Sequence, residues 1–376
     1  MMQHAKLSAS GSAKWLGCPG SIKAEEGVKD YGSKFAQEGT CAHALAEMAL
    51  VDDIDIGMRI GTEVEGWEVD ADMIDHVQGY ISYVKSFSGE HLYEQRVDFS
   101  HLVPEGFGTS DAIVINETEK LCHVIDLKFG RGVAVDAENN SQGMLYALGV
   151  LNDYGHLYDI EHIEIHIYQP RVNNFSSWRI SVGDLLKWGE WVSEQANLAL
   201  SDNAPRIPGD KQCQWCKVKA TCGALSDYTQ KILSSEFEDL GDIEPADKLE
   251  LNRLKLILDN KKLIEAYLKA VEEHVSGLLF NGDEVPGYKL VAGRSLRKWA
   301  DVETAETELF NLVGDDAFEK KLLTPAKAEK LVGSKRKGEI AHLIIKPEGA
   351  PTLAPESDKR KTWNKIELND FESLDK

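Results

Sequence analysis

The spacing of apolar and polar positions changes period several times along the chain, and each change marks an element. Lys34 to Leu50 is rich in Ala, Leu and Met and reads as a helix on which His43 and Glu47 share a face with Ala36 and Thr40. Asp72 to Phe87 carries Ile74, Val77, Tyr80, Ile81 and Val84 at helical spacing. The period then falls to two: Leu92–Phe99, Thr109–Asn116 and Leu121–Phe129 read as strands, with Asn116–Lys120 as the hairpin turn between the last two. Asn140–Leu151 reads as a helix, Ile160–Gln169 as a strand stopped by Pro170, and Val182–Leu200 as a further helix. Helices, a β-meander, helix, strand and helix in that order predict an α/β core.

Beyond residue 225 the character changes. Leu249 to Leu279 predicts one long amphipathic helix, with Leu254, Ile257, Leu258, Ile264, Leu268, Val271, Val275 and Leu278 near heptad spacing and intramolecular packing expected. Gly287–Val291 resumes a β pattern, and Thr324-Pro325 opens a short basic helix. Pro347–Lys376 is Pro-rich, then charged, and is expected to be loosely ordered. The expected division is therefore 1–225, a helical and β extension over 226–346 suited to DNA binding or oligomerisation, and a tail over 347–376.

Composition narrows the class. The 376 residues are 42% hydrophobic and 28% charged, as in ordinary globular proteins, with no apolar run of membrane-spanning length. The amino-terminal residues lack the apolar stretch of a signal peptide, so a cytoplasmic protein with no membrane partner is expected. A net charge of −21 argues against a general nucleic-acid coat. A basic groove on an acidic protein stays compatible with it. Arg294, Arg297 and Lys298 flank Trp299, and seven Lys/Arg lie between Lys320 and Lys337 against the single acid Glu329.

Two segments carry candidate chemistry. Gly108-Thr109-Ser110-Asp111-Ala112 and Val124-Ile125-Asp126-Leu127-Lys128 each read as a strand bearing a carboxylate, and residues two apart in a strand share a face, which puts Lys128 beside Asp126. Two carboxylates and an ammonium can hold a divalent metal and activate water for phosphodiester cleavage. The plainer reading is two hairpin strands with a surface salt bridge. Of six cysteines, Cys213, Cys216 and Cys222 have metal-type spacing and Cys18, in a turn-rich context, is a plausible fourth ligand for zinc or a 4Fe–4S cluster. Cys41 and Cys122 look like buried structural residues.

Taken together these pieces resemble the RecB-like exonucleases of the PD-(D/E)XK nuclease superfamily. The closer likeness is to the iron–sulfur branch that includes the AddB nuclease domain and CRISPR-associated adaptation nucleases. The likeness runs from about Ser8 to Leu225. His43, in Glu38-Gly39-Thr40-Cys41-Ala42-His43, matches the family's helical His. Asp111 matches the first metal-binding Asp, Asp126-Leu127-Lys128 the Asp-x-Lys strand, and Gln142-Gly143-Met144-Leu145-Tyr146 the Gln-x-x-x-Tyr helix. Cys18, Cys213, Cys216 and Cys222 match one amino-terminal and three carboxy-terminal cluster ligands. The whole chain also resembles phage-encoded RecB-like proteins, which would place it in the host cytoplasm.

The resemblance implies a restriction-endonuclease-like core, a central mixed β-sheet flanked by helices, with a mainly helical carboxy-terminal extension. It implies a Mg²⁺- or Mn²⁺-dependent DNA exonuclease that processes ends for recombination or replication. His43, Asp111, Asp126 and a main-chain carbonyl near Leu127 would hold the metal. Lys128 would orient or help deprotonate the water, and Gln142 and Tyr146 would position the nucleic-acid backbone. Glu94 is a candidate for an outer or second-metal carboxylate. The cysteines would hold a structural 4Fe–4S cluster, with Zn²⁺ as the alternative. The implied partners are single- or double-stranded DNA ends, a single-strand annealing or binding protein and further copies of the chain. The competing class is a non-catalytic nucleic-acid-binding or recombination scaffold that kept the fold. No Gly-x-x-x-x-Gly-Lys-Ser/Thr phosphate loop occurs, so no nucleotide-driven motor is expected.

Overall fold

Leu121-Cys122-His123-Val124-Ile125-Asp126-Leu127 is buried at all seven positions, and the surrounding elements are laid around it. The structure, a computed structural model, describes residues 5–28, 34–234, 251–291, 301–318, 324–333 and 336–344. Two short helices, α1 (Ser12–Gly17) and α2 (Ser21–Ala24), precede α3 (Lys34–Leu50). A small hairpin, β1 (Glu63–Val64) and β2 (Trp67–Glu68), leads to α4 (Ala71–Lys85), whose first turn is capped by Asp70 accepting from the Met73 amide at 2.7 Å. The strands β3 (Glu90–Asp98), β4 (Phe107–Asn116) and β5 (Leu121–Leu127) form an antiparallel meander.

The helix α5 (Ser141–Tyr154), capped by Asn140, then crosses over to β6 (His162–Gln169), which pairs with β5 in parallel. A left-handed turn at Asn173 (φ 52°) reverses the chain into β7 (Asn174–Ser181), which completes a five-stranded mixed sheet in the order β3-β4-β5-β6-β7. α6 (Val182–Leu200), α7 (Asp210–Gln214) and α8 (Gly223–Ser234) follow. The chain is thus α/β, a mixed sheet flanked by helices, with helical segments beyond it. Among the described residues no helix is long and apolar enough to cross a membrane.

A core lies on each side of the sheet. Cys122 and Val124 of β5 pack with Leu145 and Leu148 of α5 and Val192 and Ala196 of α6, while Ile125 and Leu127 pack with Leu45 of α3 and Val77 and Ile81 of α4. Alternation of side chains along β5 produces this division, and burial on both faces explains its near-continuous apolar sequence. α5 lies close to the sheet because Gly143 is bare there: a Cβ would come within 2.5 Å of Ile165 Cγ2.

Several expectations need correction. The single helix over 249–279 is two, α9 (Leu251–Asp259) and α10 (Lys261–Phe280), and residues 249 and 250 lie outside the described residues. Asn260 separates them: its side chain donates to Leu256 O at 2.9 Å and accepts from Tyr228 OH at 3.0 Å, local bonds that compete with helix continuation. α10 packs on α7 and the turn Lys219–Thr221, with Leu263 buried against Cys213 and Leu225. Gly287–Val291 forms no strand; a lone segment has no ladder to satisfy its amides, and Tyr288 and Val291 are exposed. β7 is an addition to the expected elements, although Ser176, Trp178 and Ile180 alternate inward.

The chain divides into two compact units, residues 1–291 and 292–376. The second contains α11 (Val302–Val313), α12 (Pro325–Val332) and α13 (Lys337–Ile340). Pro325 opens α12 as expected, but Thr324 makes no side-chain cap bond. Arg294, Arg297, Lys298, Lys320, Lys321, Lys335 and the tail Pro347–Lys376 lie outside the described residues.

Candidate metal centre

The candidate centre forms where β3, β4 and β5 meet α3 on one side and α5 on the other. α3 delivers His43, whose Nδ1 lies 3.3 Å from Asp111 Oδ1 on β4. The other Asp111 oxygen, Oδ2, accepts from the Leu127 amide at 2.7 Å. That bond fixes the carboxylate on the backbone of β5. α3 is itself anchored at Glu38, which accepts from Arg171 Nη1 at 2.8 Å.

Asp126 and Lys128 share a side, as their spacing predicts. Lys128 Nζ lies 2.8 Å from Asp126 Oδ2 and donates to Gln142 Oε1 at 2.8 Å; Gln142 Nε2 in turn donates to Tyr146 OH at 3.1 Å. The pair is interior rather than a surface bridge, with the Asp126 side chain only 5% exposed. Gly108 is needed for this arrangement, because a Cβ there would come within 2.5 Å of Tyr146 Cε1.

Glu94, expected as an outer or second-metal carboxylate, lies in the tightest grouping itself, beside His43 and Asp111. Tyr93 pairs with Ala112 and Gln95 with Ser110, so Glu94 stands across from Asp111. Its φ of 46° is left-handed, a conformation that costs a non-glycine residue about 1–3 kcal/mol and tends to occur at functional sites. Strand alternation also slips there. Leu92 packs in the α5-side core and Tyr93 in the α3-side core, yet Val97, which strict alternation would put with Tyr93, lies in the α5-side core. The slip puts Glu94 with His43 and Asp111, and ligand atoms of these three all lie within 4.8 Å of one another.

The electrostatics arise from packing acids together away from water. Burial, then the neighbouring Asp111, push the Glu94 carboxyl up to about 8, partly opposed by His43. Burial also works against a charged His43, but the ion pair and hydrogen bond with Asp111, aided by Asp126, outweigh it and raise the imidazole to about 9. For Asp111 burial is outweighed by His43 and the Leu127 amide, which hold the carboxyl below its ordinary value. Burial and Asp111 raise Asp126 against the pull of Lys128. Burial disfavours the Lys128 ammonium, yet Asp126 more than compensates, so Lys128 is a standing cation and a poor base.

The donor set is one imidazole and the carboxylate oxygens of Glu94, Asp111 and Asp126, and it carries excess negative charge once Glu94 and His43 give up their protons. That composition suits a hard divalent ion such as Mg²⁺ or Mn²⁺. His43, Glu94 and Asp111 form the tightest grouping, with Asp126 beside it.

Cys18, Cys213, Cys216 and Cys222 line one small cleft, together with Pro208, Val218 and Leu225. The Ile207 amide donates to Cys18 Sγ at 3.2 Å and the Gly209 amide to Cys213 Sγ at 3.5 Å, contacts that favour thiolates. Against this, burial raises the Cys18, Cys213 and Cys216 thiols, Cys216 to about 11. The two chain segments are also tied without metal: Gly20 N donates to Pro205 O at 2.8 Å and Lys217 N to Glu25 Oε1 at 2.7 Å. Among the described residues, the cysteine sulfurs do not form a group of three within 4.8 Å of one another. Cys41 lies apart, its thiol 3.5 Å from Met73 Sδ, and Cys122 is buried within β5.

A family model described as "Protein of unknown function (DUF2800)" matches residues 4–361, and the chain belongs to that family. Among solved structures, one titled "Crystal structure of SSO0001" is similar over 60% of this chain and 89% of its own, at 14% identity and a TM-score of 0.26. A likeness at that level carries no weight for fold or function.

Proposed function

We propose that the chain is a Mg²⁺- or Mn²⁺-dependent deoxyribonuclease of the RecB-like, PD-(D/E)XK type, acting on DNA ends. The observation that carries this reading is the convergence of His43, Glu94, Asp111 and Asp126 from three strands and one helix, with the Lys128 ammonium 2.8 Å from Asp126. A structural ion pair needs one carboxylate. Three carboxylates and an imidazole beside one lysine carry excess negative charge once Glu94 and His43 give up their protons, and a bound cation offsets it.

His43, Glu94 and Asp111 would hold the metal, with Asp126 completing the set. When bound, the ion would polarise the scissile phosphate and lower the pKa of a coordinated water. Lys128, kept charged by Asp126, is placed to stabilise negative charge developing on the phosphoryl oxygens. Gln142 fixes the Lys128 ammonium from the helix side, and Tyr146 fixes the Gln142 amide. We further propose that Cys18, Cys213, Cys216 and Cys222 carry a structural 4Fe–4S cluster. One zinc at about 2.3 Å from every sulfur would draw the thiolates to about 3.8 Å, whereas a four-iron cluster accepts the wider spread.

The test is digestion of 5′- and 3′-labelled single- and double-stranded DNA with Mg²⁺ or Mn²⁺, read as a product ladder. Metal-dependent shortening that disappears in Asp126→Asn is the expected result. Intact substrate in every lane, with DNA still bound, would replace the enzyme by a non-catalytic DNA-binding scaffold.

A further inference from the structure

A second cluster of ligand-type side chains lies on β5 and β6, away from the candidate centre. His123 and His166 are buried at positions whose strand neighbours on that face, Ile125 and Leu127, belong to an apolar core. His123 Nδ1 and His166 Nε2 are 3.0 Å apart, and Glu164 Oε2 is 3.9 Å from His123 Nδ1. Ligand atoms of the three all lie within 4.8 Å of one another. Nothing in the nuclease reading uses them.

We propose that His123, Glu164 and His166 form a binding site for a divalent transition ion of the zinc class, distinct from the Mg²⁺ or Mn²⁺ centre. Nitrogen and oxygen donors bonded at about 2.0–2.2 Å to one tetrahedral ion stand about 3.4 Å apart, and the two separations bracket that value. Two imidazoles select zinc, cobalt or nickel over magnesium.

The hydrogen bonding around the ligands suits the role. His166 Nδ1 is 2.9 Å from Tyr83 OH, so Nδ1–H can donate to that oxygen and leave the Nε2 lone pair facing His123. With no ion between them, one ring nitrogen must supply a proton to the other. With the ion, His123 takes its other neutral tautomer, with the proton on Nε2, and both lone pairs face the metal; no net proton is released. Glu164 also pairs with Arg179 at 3.0 Å, and Arg179 is exposed enough to keep that contact while Glu164 turns an oxygen inward.

The scaffold is rigid. His123 is in register with Glu164, and His166 with Ile125, across the parallel pair. The Phe87 ring covers both imidazoles, its centroid 4.4 Å from His123 and 5.0 Å from His166. An ion there would brace β5 against β6 three residues before Asp126.

The experiment counts zinc per chain in full-length protein loaded with Zn²⁺ and desalted, comparing wild type with His166→Phe and Glu164→Gln. Zinc held at the cysteines or the candidate centre contributes equally to all three, so the difference isolates this site. One fewer zinc per chain in His166→Phe, and at least tenfold weaker retention of that equivalent in Glu164→Gln, is expected. Equal zinc in folded His166→Phe and wild type overturns the proposal. If His166→Phe does not fold, zinc-edge anomalous diffraction from zinc-loaded wild-type crystals decides: a peak between His123 Nδ1 and His166 Nε2 supports the site, and a map without one removes it.

Discussion

Lys128 Nζ lies 2.8 Å from Asp126 Oδ2, at the buried end of the strand that both cores share. The contact keeps a cation within reach of a cluster of acids. It also makes the two residues interdependent, because truncating either leaves the other with an altered charge balance. Asp126→Asn and Lys128→Ala should each lower DNA cleavage at least about a hundredfold, the loss of roughly 3 kcal/mol of transition-state stabilisation. Asp126→Asn should fold normally, since it removes one of several crowded acids. A well-folded Asp126→Asn protein with near-normal cleavage would sink the assignment.

Glu94 sits in a conformation glycine adopts more readily, and its carboxyl is crowded by Asp111. Glu94→Gly should therefore stabilise the metal-free protein, by up to about 1 kcal/mol once the entropy glycine loses on folding is set against the relieved strain, while weakening metal binding and activity. Thermal melts in chelator and a metal titration of cleavage read the two effects separately. Destabilisation together with unchanged activity would mean that the strained residue serves the sheet and not the metal.

Metal-free stability should depend on pH through Glu94 and His43. The folded Glu94 carboxyl, raised to about 8, favours the protonated form, so its contribution is present below the unfolded value near 4.5 and is lost as pH rises toward 8. His43, raised to about 9, contributes below 6.5 and loses that contribution as pH rises through 9. Both signs agree: in chelator the melting temperature should fall between pH 5 and 9 through these groups. Saturating Mn²⁺ requires both groups deprotonated, so it should stabilise more at pH 9 than at pH 6. A metal-induced shift independent of pH would separate His43 and Glu94 from the ligand set.

Gly108 gives the Tyr146 ring its place against β4. Gly108→Ala should cost about 1–3 kcal/mol of stability, the usual range for forcing atoms into a packed interior. Cleavage should fall beyond the unfolded fraction, because Tyr146 steadies Gln142 and so Lys128. Gly130→Ala, where a Cβ meets nothing within 4 Å, is the control.

The cysteine cleft makes a long-range prediction. Cys18→Ser should destabilise the α/β unit and release the proposed cluster, since metal binding to a site absent from the unfolded chain is folding free energy. Cys41→Ser and Cys122→Ser should leave metal content unchanged. Anaerobic purification followed by iron and zinc counting is the measurement; one zinc and no iron would exchange the cluster for a zinc staple, and no metal with normal stability would remove the staple.

The sequence alone determined the parts that depend on neighbours along the chain. The two-residue period of a strand put Asp126 and Lys128 on one side, and the helical spacing of α4 marked its buried face. The edge strand β7 is hard to see in the sequence because the apolar Phe175 faces outward and the polar Ser176 inward, which reverses the pattern at its start. The break at Asn260 is equally hidden, because heptad spacing continues across it. What only the tertiary structure decided depends on contacts between distant segments. Glu94 is legible in the sequence only as an outer or second-metal carboxylate; it reaches His43 and Asp111 because the chain turns left-handed there and the strand alternation slips. His123 and His166 lie on separate strands, and only the parallel β5–β6 register brings their ring nitrogens to 3.0 Å. Local periodicity fixes which way a side chain points, whereas long-range pairing and packing fix what it meets.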